Sequence, residues 1–353
     1  MLKFSAESFY SHPAGKVLTV AAYLGLNISL NMVNKWTLSI YGFRFPIALS
    51  IAHMAFSFFA LSPFMLTKPM REQHYSTLSK QWPGLLFISV CFAINVGLNN
   101  VSLTTISLSL NQVIRASIPV FTAIGAVLIE KKPPSRQEFL SLLVLVGGVS
   151  IAVYEGSGTT SSFTGVVLCL IGTACNGLMM SSIGRLLSEK LDVLRLTFYT
   201  APLTLIVLVP FFNKLEAPGY YQYASGATAG GAYVVVILLG CLNALLYNLI
   251  HSLVIKVTSS VTTTVIGEMK IVLILLLSAV VLGESDVWTV KMMIGCTTAI
   301  LGFCMYSHGR MMAGAQTVPV IIKGVPELSP SLTDTLRTPL LAGGLMAGKS
   351  SRS

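Results

Sequence analysis

Lys35, Arg115 and Lys270 each lie inside a long apolar stretch, and one acid, Glu268, stands two residues before Lys270. A charge near the centre of a bilayer costs about 2.5–3.5 kcal/mol on insertion scales. Lys35 is close enough to the end of its stretch to carry its ammonium part of the way out, whereas Arg115 and Lys270 sit near mid-depth. One carboxylate cannot neutralise three cations, and Glu268 and Lys270, at i and i+2, do not share a helix face. The chemistry this points to is a water-accessible cavity whose positive field receives an anion. Phosphate or diphosphate suits it, because Arg and Lys are their usual ligands. Glu268 is expected to orient Lys270 or hydroxyls of neighbouring helices, since an isolated carboxylate there would be costly.

Other polar side chains gather on the same stretches. Asn27, Asn31 and Asn34 fall at helical spacing beside Lys35, and Ser107, Ser109, Asn111 and Gln112 precede Arg115. Asn243, Tyr247, Asn248 and His251 share a further stretch, and a run of hydroxyls from Thr258 to Thr264 leads to Glu268. Single hydroxyls of this kind often bond a backbone carbonyl or join helices; their concentration beside the charges argues for a cavity lining. The expected substrate-binding set is Lys35, Arg115, Lys270, Asn31, Asn34, Asn111, Tyr247, Asn248, Glu268 and Thr264. His53 has no such company and reads as structural, while His251 is left undecided. The six cysteines lie singly in apolar runs without metal-ligand spacing, so neither a metal nor another cofactor is expected. No His-Glu cluster, paired carboxylates within a span or phosphate-cradling Gly loop suggests catalysis.

The elements that must carry these residues follow from composition. Hydrophobic residues make up 54% of the 353, and charged residues 10%; mean hydropathy is +0.76. A soluble domain carries about a quarter charged residues, so lipid is the expected solvent. Helices need about 20 apolar residues to span the hydrocarbon. Ten stretches qualify, at 17–40, 43–66, 83–104, 106–129, 138–154, 163–184, 193–212, 232–255, 258–282 and 287–307. This predicts an all-α polytopic membrane protein, with a leader at 1–16, helices at 17–154 and 163–308, and a disordered tail at 309–353. No cleavable signal is read in the leader, so the first span doubles as insertion signal. Apart from Lys35, Arg115 and Lys270, only Arg44, Lys214 and Lys291 fall on one side, and the other 17 of the 23 Lys and Arg residues fall on the side of both termini. That asymmetry predicts cytosolic termini, and it makes the net charge of +10 a matter of topology rather than nucleic-acid binding.

Displacing the sequence by 155 residues brings Arg115 onto Lys270, with Glu130 and Glu284 at nearly equal distances beyond. The two stretches would cross the membrane in opposite directions, which predicts two inverted five-helix repeats with the substrate bound at their interface.

The order of motifs resembles the triose-phosphate translocator and nucleotide-sugar transporter family of the drug/metabolite transporter superfamily. Asn34-Lys35-Trp36-Thr37-Leu38 resembles its first-helix motif, and Ser109 to Ser117, with Asn111-Gln112 before Arg115, its fourth-helix motif. Tyr247-Asn248, then Val257 to Thr262, then Gly267-Glu268-Met269-Lys270 resemble its eighth-to-ninth-helix signature. The resemblance covers about residues 15–310. It implies an antiporter that exchanges a cytosolic nucleotide sugar for nucleoside monophosphate across a Golgi or endoplasmic reticulum membrane. Lys35 and Lys270 would contact the substrate phosphates, Arg115 would support the same charge, and Tyr247 and Asn248 would line the cavity. The family's plastid phosphate translocators carry Arg directly after the ninth-helix Lys, whereas Ile271 follows Lys270 here. That departure, with the missing transit peptide, favours the nucleotide-sugar branch over a sugar-phosphate/phosphate or other organic-anion exchanger. A multi-pass enzyme and a channel are the competing classes. The expected partners are the anionic solute, the bilayer and, compatibly with the sequence, a second copy in a homodimer.

Overall fold

The computed structural model describes residues 12–40, 42–72, 74–102, 105–106, 108–153, 162–189, 191–225, 231–269 and 290–316. Every regular element among them is helical. In chain order these are α1 (Pro13–Lys35, continued by a π-helical turn Trp36–Ile40), α2 (Pro46–Met65), α3 (Lys68–Arg71) and α4 (His74–Ser102). Then come α5 (Leu108–Arg115), α6 (Ile118–Gly125, continued by a π-helical turn Ala126–Glu130), α7 (Arg136–Val153) and α8 (Phe163–Ser188). The rest are α9 (Val193–Leu215), α10 (Ala217–Ser225), α11 (Gly231–Val257), α12 (260–269) and α13 (Val290–Gln316). Seven helices among the described residues are long and apolar enough to cross a membrane. Residues 1–310 form one compact unit and 311–353 a second.

Two expectations are corrected. The stretch 106–129 is not one helix: it breaks at Ala116-Ser117, because Pro119 in the first turn of α6 has no N–H to give to a preceding turn. Ala217-Pro218-Gly219 opens a helix, since the first turn of a helix leaves N–H groups unused and tolerates Pro. The last helix runs to Gln316, past the boundary expected at 308. The ninth expected span is described only to residue 269.

α4 packs along α8 and α9, α9 along α2, and α2 and α1 both against α11. Glu216 fixes the start of α2: its carboxylate accepts the Ile47 N–H at 2.8 Å and the Ala48 N–H at 2.9 Å. An acceptor there uses two of the N–H groups that a helix leaves unpaired. Burial pushes this carboxyl above the ordinary range, against the pull of those two bonds. α7 and α13 meet along a seam of small residues: Gly148 faces Ala299, Gly295 faces Ala152 and Gly302 faces Leu145. The pairs run in opposite order along the two helices, so the helices are antiparallel. A Cβ on Gly148 would lie 2.8 Å from the Ala299 Cα, so the seam depends on having no side chain there.

Candidate functional site

The break after Arg115 puts this residue in the last turn of α5, where the helix carbonyls favour a cation. Arg115 Nη1 donates to Asn95 Oδ1 at 3.0 Å and to Asn99 Oδ1 at 3.2 Å. Asn95 and Asn99 are one turn apart on α4, hence on one face. Asn99 Oδ1 also accepts from Asn111 Nδ2 at 3.0 Å, and the same Nδ2 lies 3.1 Å from Ser102 Oγ and 3.3 Å from Cys169 Sγ. Asn111, 1% exposed, therefore fixes Asn99, which in turn fixes the guanidinium. Among the described residues Arg115 makes no ion pair. Amide oxygens orient the cation without neutralising it, and the buried carboxylate of Glu268 on α12 acts on its charge through space.

Two cavities share Asn95. The smaller, about 180 Å³, is lined by Asn34, Ser50, His53, Asn99, Asn100 and Arg115 among others. The larger, about 210 Å³, has a mainly apolar wall including Met54, Phe92 and Met180, with Tyr247, Asn248 and His251 on it. Either alone is below the roughly 300–1,000 Å³ usual for a small-molecule site, and the two together fall within it. Tyr247 and His251 stack at 5.4 Å, and Tyr23 stacks on them at 5.9 and 5.5 Å. Asn27 Nδ2 reaches the Tyr247 hydroxyl at 3.5 Å, which ties α1 to α11 behind this wall.

Arg115 and Asn34 thus line the smaller of the two adjoining cavities and Tyr247 and Asn248 the larger, and Asn111 stands behind Arg115. Asn31 is exposed, with its Nδ2 bonded to the Asn27 carbonyl at 2.6 Å and to Asn27 Oδ1 at 2.8 Å. Thr264 is buried and donates to the Val261 carbonyl at 2.8 Å; it lines neither cavity. Glu268 is buried on α12. The Lys35 side chain and all of Lys270 lie outside the described residues. Sequence reasoning missed Asn95, Asn99 and Asn100 and set His53 aside. An i, i+4 pair of amides in an apolar helix was the available signal for the first two.

A sequence profile of the Triose-phosphate Transporter family matches residues 16–307. The chain is 30% identical over 295 residues to a probable sugar phosphate/phosphate translocator of Arabidopsis thaliana, covering 82% of this chain and 80% of that protein. It is 29% identical over 300 residues to UDP-uronic acid transporter 1 of the same plant, covering 82% and 94%. One crystal structure aligns at a TM-score of 0.61 over 87% of this chain and 100% of the other, with 11% identity, a likeness of fold alone. The chain belongs to the triose-phosphate transporter family. It is an integral membrane transporter and not an enzyme.

Proposed function

We propose that the protein is an antiporter that exchanges a nucleotide sugar for a nucleoside monophosphate by alternating access. The observation that carries this is Arg115, a cation held by neutral amides where a polar and a mainly apolar cavity adjoin. The diphosphate would take the charge, together with Lys35 and Lys270. The wall bearing Tyr247 and His251 suits the flat face of a base. Its relatives include both a UDP-uronic acid transporter and a probable sugar phosphate/phosphate translocator, and Ile271 after Lys270 favours the former class.

The ten spans in two inverted repeats belong to the same proposal. The antiparallel seam between α7 and α13 supports it, because corresponding helices of inverted halves must run in opposite directions. The shift that takes Arg115 to Lys270 also takes Gly147, beside the seam residue Gly148, to Gly302. Both termini would be cytosolic in a Golgi or endoplasmic reticulum membrane.

Reconstitution tests this reading. Proteoliposomes preloaded with UMP or GMP should take up a labelled nucleotide sugar faster than empty ones. Uptake of glucose 6-phosphate against inorganic phosphate would instead favour the sugar-phosphate class. Uptake that ignores the internal solute would rule out obligatory exchange.

A further inference from the structure

Three residues that line the smaller cavity each carry a buried polar atom with no hydrogen-bond partner among the described residues: Asn34 Oδ1, His53 Nε2 and Asn100 Nδ2. Buried polar groups in folded proteins are almost always bonded, so three on one cavity, beside a cation, is a concentration that packing alone does not explain. They come from α1, α2 and α4, so no single helix accounts for them. His53 is 7% exposed. Its carbonyl accepts the Ser57 hydroxyl at 2.8 Å, and on its ring Nε2 has no partner among the described residues. The nearest wall of α11 has a glycine: a Cβ on Gly240 would lie 3.6 Å from His53 Nε2. A side chain at Gly240 would add an apolar contact on that nitrogen.

The set also has a chemical signature. Asn34 Oδ1 only accepts, Asn100 Nδ2 only donates, and a neutral imidazole nitrogen does one or the other according to tautomer. Ionised phosphate oxygens only accept, so they cannot pair with Asn34 Oδ1. A hydroxyl donates and accepts at once, so sugar hydroxyls match both kinds of group.

We propose that His53, Asn34 and Asn100 form an uncharged subsite that binds hydroxyl groups of the transported sugar, next to the anionic group held at Arg115. This rests on the transport reading above and makes the smaller cavity the place where sugar-bearing solutes are told from bare anions.

The test uses the purified full-length protein and two matched pairs of probes, UDP-galactose against UDP and glucose 6-phosphate against inorganic phosphate, titrated by thermal stabilisation. The wild type should favour the sugar-bearing member of the pair it binds. His53→Phe should weaken that member about three- to tenfold, the worth of one neutral hydrogen bond, and leave the sugarless member within about twofold. His53→Gln should restore part of the preference, since its amide can donate or accept. Gly240→Ala leaves His53 intact and has ordinary contacts, 3.4 Å to Val33 Cγ1 and 3.6 Å to Nε2. It should lower the preference in the same direction by screening the nitrogen. Equal weakening of both members, or no change in either, in His53→Phe and Gly240→Ala would overturn the subsite while the transport reading stands. A wild type that binds neither pair would overturn the transport reading and this inference with it.

Discussion

Around Arg115 the polar side chains bond across helices: α5 reaches Asn95 and Asn99 on α4, and Asn111 reaches Ser102 of α4 and Cys169 of α8. Around the start of α12 most bond within their own turns. Thr258 donates to the Val254 carbonyl and lies 3.2 Å from Thr263 Oγ1, Ser259 donates to Thr262 Oγ1, Thr263 to the Ser259 carbonyl and Thr264 to the Val261 carbonyl. The exceptions are Ser260, which bonds Glu130 at the end of the π-helical turn after α6, and Thr262, 3.1 Å from the Tyr306 hydroxyl on α13. Both regions are equally polar in sequence, yet one arranges a charge and the other mostly builds a helix start. The difference lies in side-chain reach. A Ser or Thr hydroxyl on a short stem closes on the carbonyl three or four residues back, while an Asn amide projects far enough to meet another helix.

The largest effect should come from Asn99, where the cross-helix network converges. Asn99→Leu leaves the Asn111 amide and the Arg115 guanidinium each short of an acceptor, at a cost of about 2–4 kcal/mol in stability. Thermal unfolding in detergent should place this variant well below the wild type. An unchanged midpoint would mean that the network is idle.

Asn111→Ala should cost less, about 1–2 kcal/mol, and should lower phosphate-ester affinity severalfold because Arg115 loses its indirect anchor. Titration of UDP at matched stability, reached by lowering the temperature for the variant, separates these effects. A loss of stability without a loss of affinity would make Asn111 purely structural.

At the start of α12 the same measurements should read nearly flat. Thr263→Val removes a hydroxyl that serves its own turn, with an expected cost of about 0.5–1 kcal/mol and affinity within about twofold of wild type. Thr264→Val should do still less. A tenfold loss of affinity in either would place these hydroxyls on the substrate and erase the contrast with the Arg115 region.

The contrast was only half visible in the sequence. Arg115 was legible because a cation amid apolar residues has few structural uses, and Tyr247-Asn248 because polar pairs on a spanning helix are rare. Asn95 and Asn99 were not, since an amide alone costs too little to demand a partner and can serve simply as glue between helices. The break at Ala116-Ser117 had its signal in Pro119, which was outweighed by the apolar run on either side. His53 read as structural because its neighbours in sequence are apolar; what sets it apart is Gly240, on a helix far along the chain. Thr264 was drawn in by the residues around it, and only the bond to Val261 shows where its hydroxyl goes.

The central claim is that the Arg115 charge is arranged to meet an anion and is not a structural cation. Arg115→Gln keeps a donor for Asn95 and Asn99 and removes the charge. Isothermal titration of UDP and of glucose 6-phosphate into purified wild type and variant is the direct measurement. The account predicts about a ten- to hundredfold loss of affinity for the ligand that the wild type binds, the worth of a charge-assisted contact, with ligand-free thermal stability at or above the wild-type value because an intramembrane charge has been removed. Wild-type affinity in the variant, combined with poor folding, would contradict it.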